Sequence, residues 1–138
     1  MGSEVIKIAN CSGYYGDRLS AAKEMVEGGP IDVLTGDYLA ELTMSILFNQ
    51  KLKRGDDKGY VGTFLKQLKD VAKTCKEKEI KIVTNAGGLN PKSMANEIQN
   101  ILSELRLEME VAYIDGDDLM PRTVSYTHLR AHETCVHL

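Results

Sequence analysis

Four stretches of this chain place small, acidic and amide-bearing residues directly after short apolar runs. They are Asn10-Cys11-Ser12-Gly13-Tyr14-Tyr15-Gly16-Asp17-Arg18, Thr35-Gly36-Asp37-Tyr38-Leu39-Ala40-Glu41, Thr84-Asn85-Ala86-Gly87-Gly88-Leu89-Asn90-Pro91 and Asp115-Gly116-Asp117-Asp118. Asp37 and Glu41 stand one helical turn apart, which puts two carboxylates on one side for a divalent cation or a proton transfer. The same spacing suits Asp37 as a helix cap with Glu41 in water, and spacing alone favours the cap. Asp115, Asp117 and Asp118 crowd like charges, which draws a cation or lifts one carboxyl pKa; a solvated acidic loop is the commoner outcome of such runs. Gly87 and Gly88 precede Asn90 and Pro91. They either leave backbone N–H groups free for a phosphate or carboxylate at a positive helix end, or only let the chain turn tightly. Tyr14 and Tyr15 offer rings that stack on a ligand or shield the strand ends. Cys11 has no base nearby and reads as an inert buried thiol, and Cys75 reads as core.

Positioning these groups requires an alternating fold. Residues 5–9, 31–34, 80–83 and 109–114 read as four short strands. Asp17 caps a first helix with Leu19, Ala22, Met25 and Val26 inward, ending at Gly28-Gly29-Pro30. Asp37 opens a second with Leu39, Leu42, Thr43, Ile46 and Leu47 along one side, and residues 51–59 read as an exposed loop. Val61, Phe64, Leu65, Leu68, Val71, Ala72 and Cys75 follow helical spacing without a miss. Asn90 as cap and Pro91 at the first position start a helix with Met94, Ile98, Ile101, Leu102 and Leu105 inward. This order predicts an α/β fold, a three-layer, open, mostly parallel, Rossmann-like sheet with right-handed crossovers and helices on both faces. Four strands are few for a doubly wound sheet, so the sheet is expected to be incomplete at its C-terminal end. Ligands of such sheets bind beyond the carboxyl ends of the strands, where all four turns are expected to converge.

The bulk numbers narrow the function classes. The 138 residues are 43% hydrophobic and 27% charged, with 17 basic against 20 acidic residues and a net charge of −3. That suffices for one domain with a core and carries no basic surplus for nucleic acid. No apolar stretch approaches the roughly 20 residues of a membrane span, and the acidic residues 1–4 do not resemble a secretory signal. Three cysteines without a pairing pattern point to a reducing, cytoplasmic setting. Neither a G-x-G-x-x-G nor a G-x-x-x-x-G-K-[ST] sequence occurs, so a standard dinucleotide fold or P-loop is unsupported.

Residues 123–138 break the pattern. They hold His128, His132 and His137 with Cys135. Zinc is one reading, but the metalloprotease motif would need histidine where Val136 stands. The stretch 124–134 also resembles a translated sequencing adapter, and that reading is preferred. Residues 1–122 are accordingly taken as the native part and 123–138 as a non-native tail. Those 122 residues contain no histidine, the commonest acid–base residue, so either Asp, Glu, Tyr or Lys would have to serve or a further C-terminal part of the domain would supply the group.

The turns together, with Gly28-Gly29-Pro30-Ile31-Asp32-Val33-Leu34 leading into the second and Gly116-Asp117-Asp118-Leu119 as the fourth, resemble the N-terminal part of the acyclic terpene utilisation (AtuA-type) family over residues 5–122. The resemblance implies a longer whole domain and a role in the catabolism of acyclic terpenes such as citronellol and geraniol. That route works on acyl-CoA thioesters and includes a geranyl-CoA carboxylase step. Two classes of function follow. One is a catabolic enzyme for a branched acyl-CoA or related acid, inactive as a fragment; the other is a non-catalytic module holding a nucleotide or acyl-CoA for a partner enzyme. Catalytic roles are expected of Asp17, Asp37, Glu41 and Asp117. Ligand contact is expected from Ser12, Gly13, Tyr14, Gly36, Asn85, Gly87, Gly88 and Asn90. No metal set and no particular cofactor are assigned. The expected partners are a small-molecule metabolite such as an acyl-CoA, and a second copy or a catabolic enzyme, not nucleic acid or membrane.

Overall fold

The β-branched runs form three parallel strands in the order β1-β2-β3: β1 Ile8–Asn10, β2 Val33–Gly36 and β3 Lys81–Thr84. The structure, a computed structural model, describes residues 5–119. Ile8 pairs with Val33 and Val33 with Lys81, so the strands run in step. Among the described residues four helices accompany them: α1 Ala21–Gly28, α2 Glu41–Arg54, α3 Gly62–Glu77 and α4 Pro91–Glu104. This is an open α/β arrangement of Rossmann-like type, incomplete in its number of strands.

Strand order fixes the layering. Right-handed crossovers that step always toward the same edge lay their helices on one face. Alternation along the strands agrees: Leu34 is buried and Ala9 and Ile82 are half-buried, whereas Ile8, Asn10, Lys81 and Val83 are exposed on the opposite face. Helices on both faces were expected; among the described residues only one face is covered.

Two apolar clusters lie beneath that covered face. One joins α1, β2 and α3 through Ala22, Val26, Leu34, Val71 and Cys75. The other joins α2, α3 and α4 through Leu47, Phe64, Leu68, Met94 and Leu102, with Tyr38 at its centre. The predicted stripe of α3 holds, with two adjustments: Val61 is its N-cap and Leu65 is only half-buried. Asn90 caps α4 as expected, its side chain accepting the Ser93 N–H at 3.2 Å with Pro91 in the first turn.

Other expectations are corrected. The first helix starts at Ala21 after Ser20, not at Asp17, and Leu19 is exposed. The second starts at Glu41 after Ala40, not at Asp37, and Leu42 is exposed. Both aspartates are engaged elsewhere, as described below. Residues 51–54 are the last turn of α2 rather than loop. Residues 109–114 do not pair as a strand. Leu107, Met109 and Val111 lean onto the second cluster while Glu108 and Glu110 face water, so the alternation is real but apolar contact satisfies it without a ladder. Leu105 lies at the C-cap of α4 and is exposed.

Candidate functional site at the carboxyl edge of the sheet

Parallel strands bring the turns that follow them to one edge, and backbone bonds stitch these turns together. The Cys11 N–H donates to the Thr35 carbonyl at 2.8 Å and the Asp37 N–H to the Ser12 carbonyl at 2.9 Å. In the first turn the Asp17 carboxylate accepts from the Gly13 N–H at 2.9 Å and the Arg18 N–H at 2.7 Å. Those two amides hold its carboxyl below the usual aspartate range, the Gly13 bond contributing most. Ser12 is buried and its hydroxyl donates to the Tyr14 carbonyl at 3.0 Å, while the Tyr14 ring itself is exposed.

The second and third turns meet through side chains. Asp37 Oδ1 accepts from Asn85 Nδ2 at 2.6 Å and, more weakly, from the Leu39 N–H at 3.4 Å. Asn85 Oδ1 in turn accepts from the Tyr38 N–H at 2.9 Å. Asn85 therefore clamps Asp37 from one side and is itself fixed by backbone. The Thr84 hydroxyl donates to the Gly36 carbonyl at 2.9 Å and accepts from the Ala86 N–H at 3.1 Å.

Behind this edge sits a polar bridge absent from the sequence reading. The Tyr38 side chain is fully buried, edge-on to Phe64 with centroids 6.1 Å apart, and its hydroxyl donates to Gln67 Oε1. Gln67 Nε2 donates to the Arg18 carbonyl at 3.2 Å. One buried amide on α3 thus ties down the turns after β1 and β2. A signal for it exists, because Gln67 is a polar residue on the apolar stripe, three after Phe64 and four before Val71. Cys11 Sγ lies 3.9 Å from the Tyr38 hydroxyl. Burial pushes the Cys11 thiol up, and burial followed by the neighbouring Cys11 pushes up the Tyr38 phenol, so both stay protonated at neutral pH. Cys11 is the inert thiol expected of it.

An open cleft of about 450 Å³ lies at this edge, lined by Asn10, Thr35, Gly36, Asp37, Val83, Thr84 and Asn85. Of the predicted residues, Gly36, Asp37 and Asn85 line it, and Ser12, Gly13 and Asp17 belong to the turn bonded alongside. Asn10, Thr35, Val83 and Thr84 were not anticipated, although they fall at strand ends. Glu41, in the first turn of α2, and Asp117 are exposed and lie outside the lining set. The fourth turn is fastened to α2 instead, with Lys51 Nζ 2.6 Å from Asp118 Oδ2.

Gly87 and Gly88 are buried, and packing explains them. A Cβ on Gly88 would stand 2.4 Å from Leu47 Cδ1, and one on Gly87 would stand 2.7 Å from Pro91 Cβ. The Gly88 N–H already donates to the Asn85 carbonyl at 3.2 Å. Asn90 caps α4 and also donates to the Asp56 and Lys58 carbonyls at 2.7 and 3.1 Å, holding the loop after α2. A second hollow of about 270 Å³ between α3 and α4 is walled by surface charges such as Lys69 and Glu104, which pair with each other at 3.5 Å. Among the described residues no group of three His, Cys, Asp or Glu side chains is arranged to hold a metal ion. The histidines and Cys135 of the tail lie outside the described residues.

Neither a curated protein nor a solved structure matches the chain. The family model described as acyclic terpene utilisation family protein AtuA matches residues 6–137. That range takes in all three strands and their turns, and continues through the tail that the sequence reading set aside. With nearly its whole length matched, the chain belongs to the acyclic terpene utilisation family.

Proposed function

We propose that the chain works in the breakdown of acyclic terpenes at the acyl-CoA level, and that the carboxyl-edge cleft holds a small-molecule ligand that this work requires. Family membership supports the substrate class. The observation that carries the site is Asp37. It caps no helix, and Asn85 holds its carboxylate at the mouth of an open cleft. A side chain fixed from behind and facing open space is preorganised for a ligand. A cytoplasmic setting fits the free thiols of Cys11 and Cys75, and among the described residues no helix is long and apolar enough to cross a membrane.

One observation favours a binding module over an enzyme. Among the described residues Asp37 is the only titratable side chain that lines the cleft, and the nearby Cys11 thiol is held protonated. A catalytic version would need Asp37 as its base, with Asp17, Glu41 or Asp117 reaching a bound substrate. Asp37→Asn separates these roles from a structural one. The substitution keeps an oxygen for Asn85 Nδ2, so melting temperature should move little, while turnover of citronellyl- or geranyl-CoA, or binding of the cleft's own ligand, should be lost. A large fall in stability with ligand binding intact would return Asp37 to a purely structural role.

A further inference from the structure

We propose that the cleft receives its ligand through two neighbouring hydroxyl groups, the vicinal diol of a ribose or sugar ring, with the Asp37 carboxylate as acceptor, and not through a phosphate. The inference rests on the cleft being the ligand site, and narrows what chemistry it accepts.

The first argument is acceptor geometry. A carboxylate offers about four lone-pair positions on its two oxygens. Asp37 Oδ1 uses its share on Asn85 Nδ2 and the Leu39 N–H. Oδ2 has no partner among the described residues, so it keeps room for two O–H donors. Two hydroxyls on adjacent ring carbons present such donors to one oxygen without further ordering of the ligand. Asp37 also follows the middle strand of three parallel strands, and in doubly wound nucleotide-binding sheets an acid downstream of the first turn takes a ribose hydroxyl.

The second argument is the exclusion of phosphate. Among the described residues no Lys or Arg lines the cleft, and its one formal charge is negative. The nearby Arg18 guanidinium is engaged by Glu24 at 2.9 Å. In dinucleotide folds the turn after the first strand receives phosphate on its amides. Here the chain's own Asp17 carboxylate occupies the Gly13 and Arg18 amides, and Glu24 sits in the first turn of α1. At the start of α4, Asn90 takes the Ser93 N–H and the Asn85 carbonyl takes that of Gly88. The turn before α1 and the start of α4 are thus supplied with internal acceptors, and the uncapped first turns of α1 and α2 carry Glu24 and Glu41, which repel an anion. A CoA adenosine, whose ribose carries a phosphate in place of one hydroxyl, is therefore disfavoured in this cleft, and a nucleoside or sugar with both hydroxyls free is favoured.

The test is an amide NMR titration of the full chain with adenosine, 2′,3′-dideoxyadenosine, methyl β-ribofuranoside, ADP, inorganic phosphate and CoA, repeated on Asp37→Asn. Adenosine should shift the amides of Asn10, Asp37 and Asn85. The dideoxy compound should bind about tenfold more weakly or worse, as expected for lost bonds to a charged acceptor. Phosphate should leave these amides in place, and Asp37→Asn should weaken adenosine by a similar factor with an unchanged spectrum elsewhere. Binding of methyl riboside as well as adenosine identifies the diol of any sugar as the ligand chemistry; adenosine alone identifies a nucleoside. Equal binding of the dideoxy compound, or cleft shifts from phosphate or CoA, would overturn the diol assignment while leaving the cleft as the ligand site. Silence of the cleft amides toward every compound of the series would remove the site itself.

Discussion

At the scale of single residues, this fold draws its aspartates away from helix ends and into the joints between turns. Asp17 shows the consequence. Its carboxylate closes the first turn by accepting two backbone N–H groups, and its folded pKa falls below the ordinary value. A group with a depressed folded pKa stabilises the fold above its unfolded pKa of about 3.9 and loses that contribution as pH falls through the lower folded value. Asp17→Asn should therefore lower the melting temperature by a constant margin from neutral pH down to about pH 5. The margin should shrink as both proteins are taken below the ordinary carboxylate range. Melting curves recorded across that interval decide the matter, since a margin that persists undiminished to the most acid pH would show that the charge contributes nothing to holding the turn.

At the scale of elements, α2 depends on a contact made far along the chain. Its apolar stripe is thin, with Leu42 exposed and Leu47 fully buried, and Leu47 seats against Gly88 in the turn after β3. Gly88 has φ +51, and a Cβ there would meet Leu47 Cδ1 at 2.4 Å and the Gly59 carbonyl at 2.9 Å. Gly88→Ala should destabilise the protein by about 2–4 kcal/mol through overpacking and left-handed strain, read by denaturant melting. In a double-mutant cycle with Leu47→Ala the two losses should sum to less than their separate values, because part of the clash is with a side chain that has then been removed. Strict additivity would mean that the backbone contact with Gly59 dominates. The same dependence explains what the sequence could reveal. α3 and α4 were legible because a stripe and an Asn-Pro cap are local signals. The true starts of α1 and α2 were not, since Asp17 and Asp37 look like caps until their partners are known, and Asn85 lies 48 positions from Asp37. Gly36, Asp37 and Asn85 could be assigned to one edge from strand order alone. Gln67 was hidden within an apolar stripe, and residues 109–114 kept a strand's alternation without finding a ladder.

At the scale of the whole molecule, three strands stepping in one direction leave the second face of the sheet and the outer edge of β1 without cover among the described residues. Val5 and Ile6 at 75% and 68% exposure, and Ile8 and Val83 at 65% and 60%, put branched apolar side chains there. Each such side chain loses about 1.5 kcal/mol or more by remaining in water. An unpaired edge beside an apolar face is a template for association. The isolated chain should therefore self-associate as concentration rises, with strand addition at β1 and apolar contact across Ile8 and Val83 acting together. Ile8→Lys with Val83→Lys places charge on the bare face without touching Leu34, Ile82 or the clusters beneath them, so the fold should persist while the assembly weakens. Sedimentation velocity over a concentration series, with circular dichroism as the control for folding, measures both. Were the double variant to associate as strongly as the parent chain, the contact would have to lie elsewhere, on the helical face. The bare face would then be apolar surface that the protein tolerates in water.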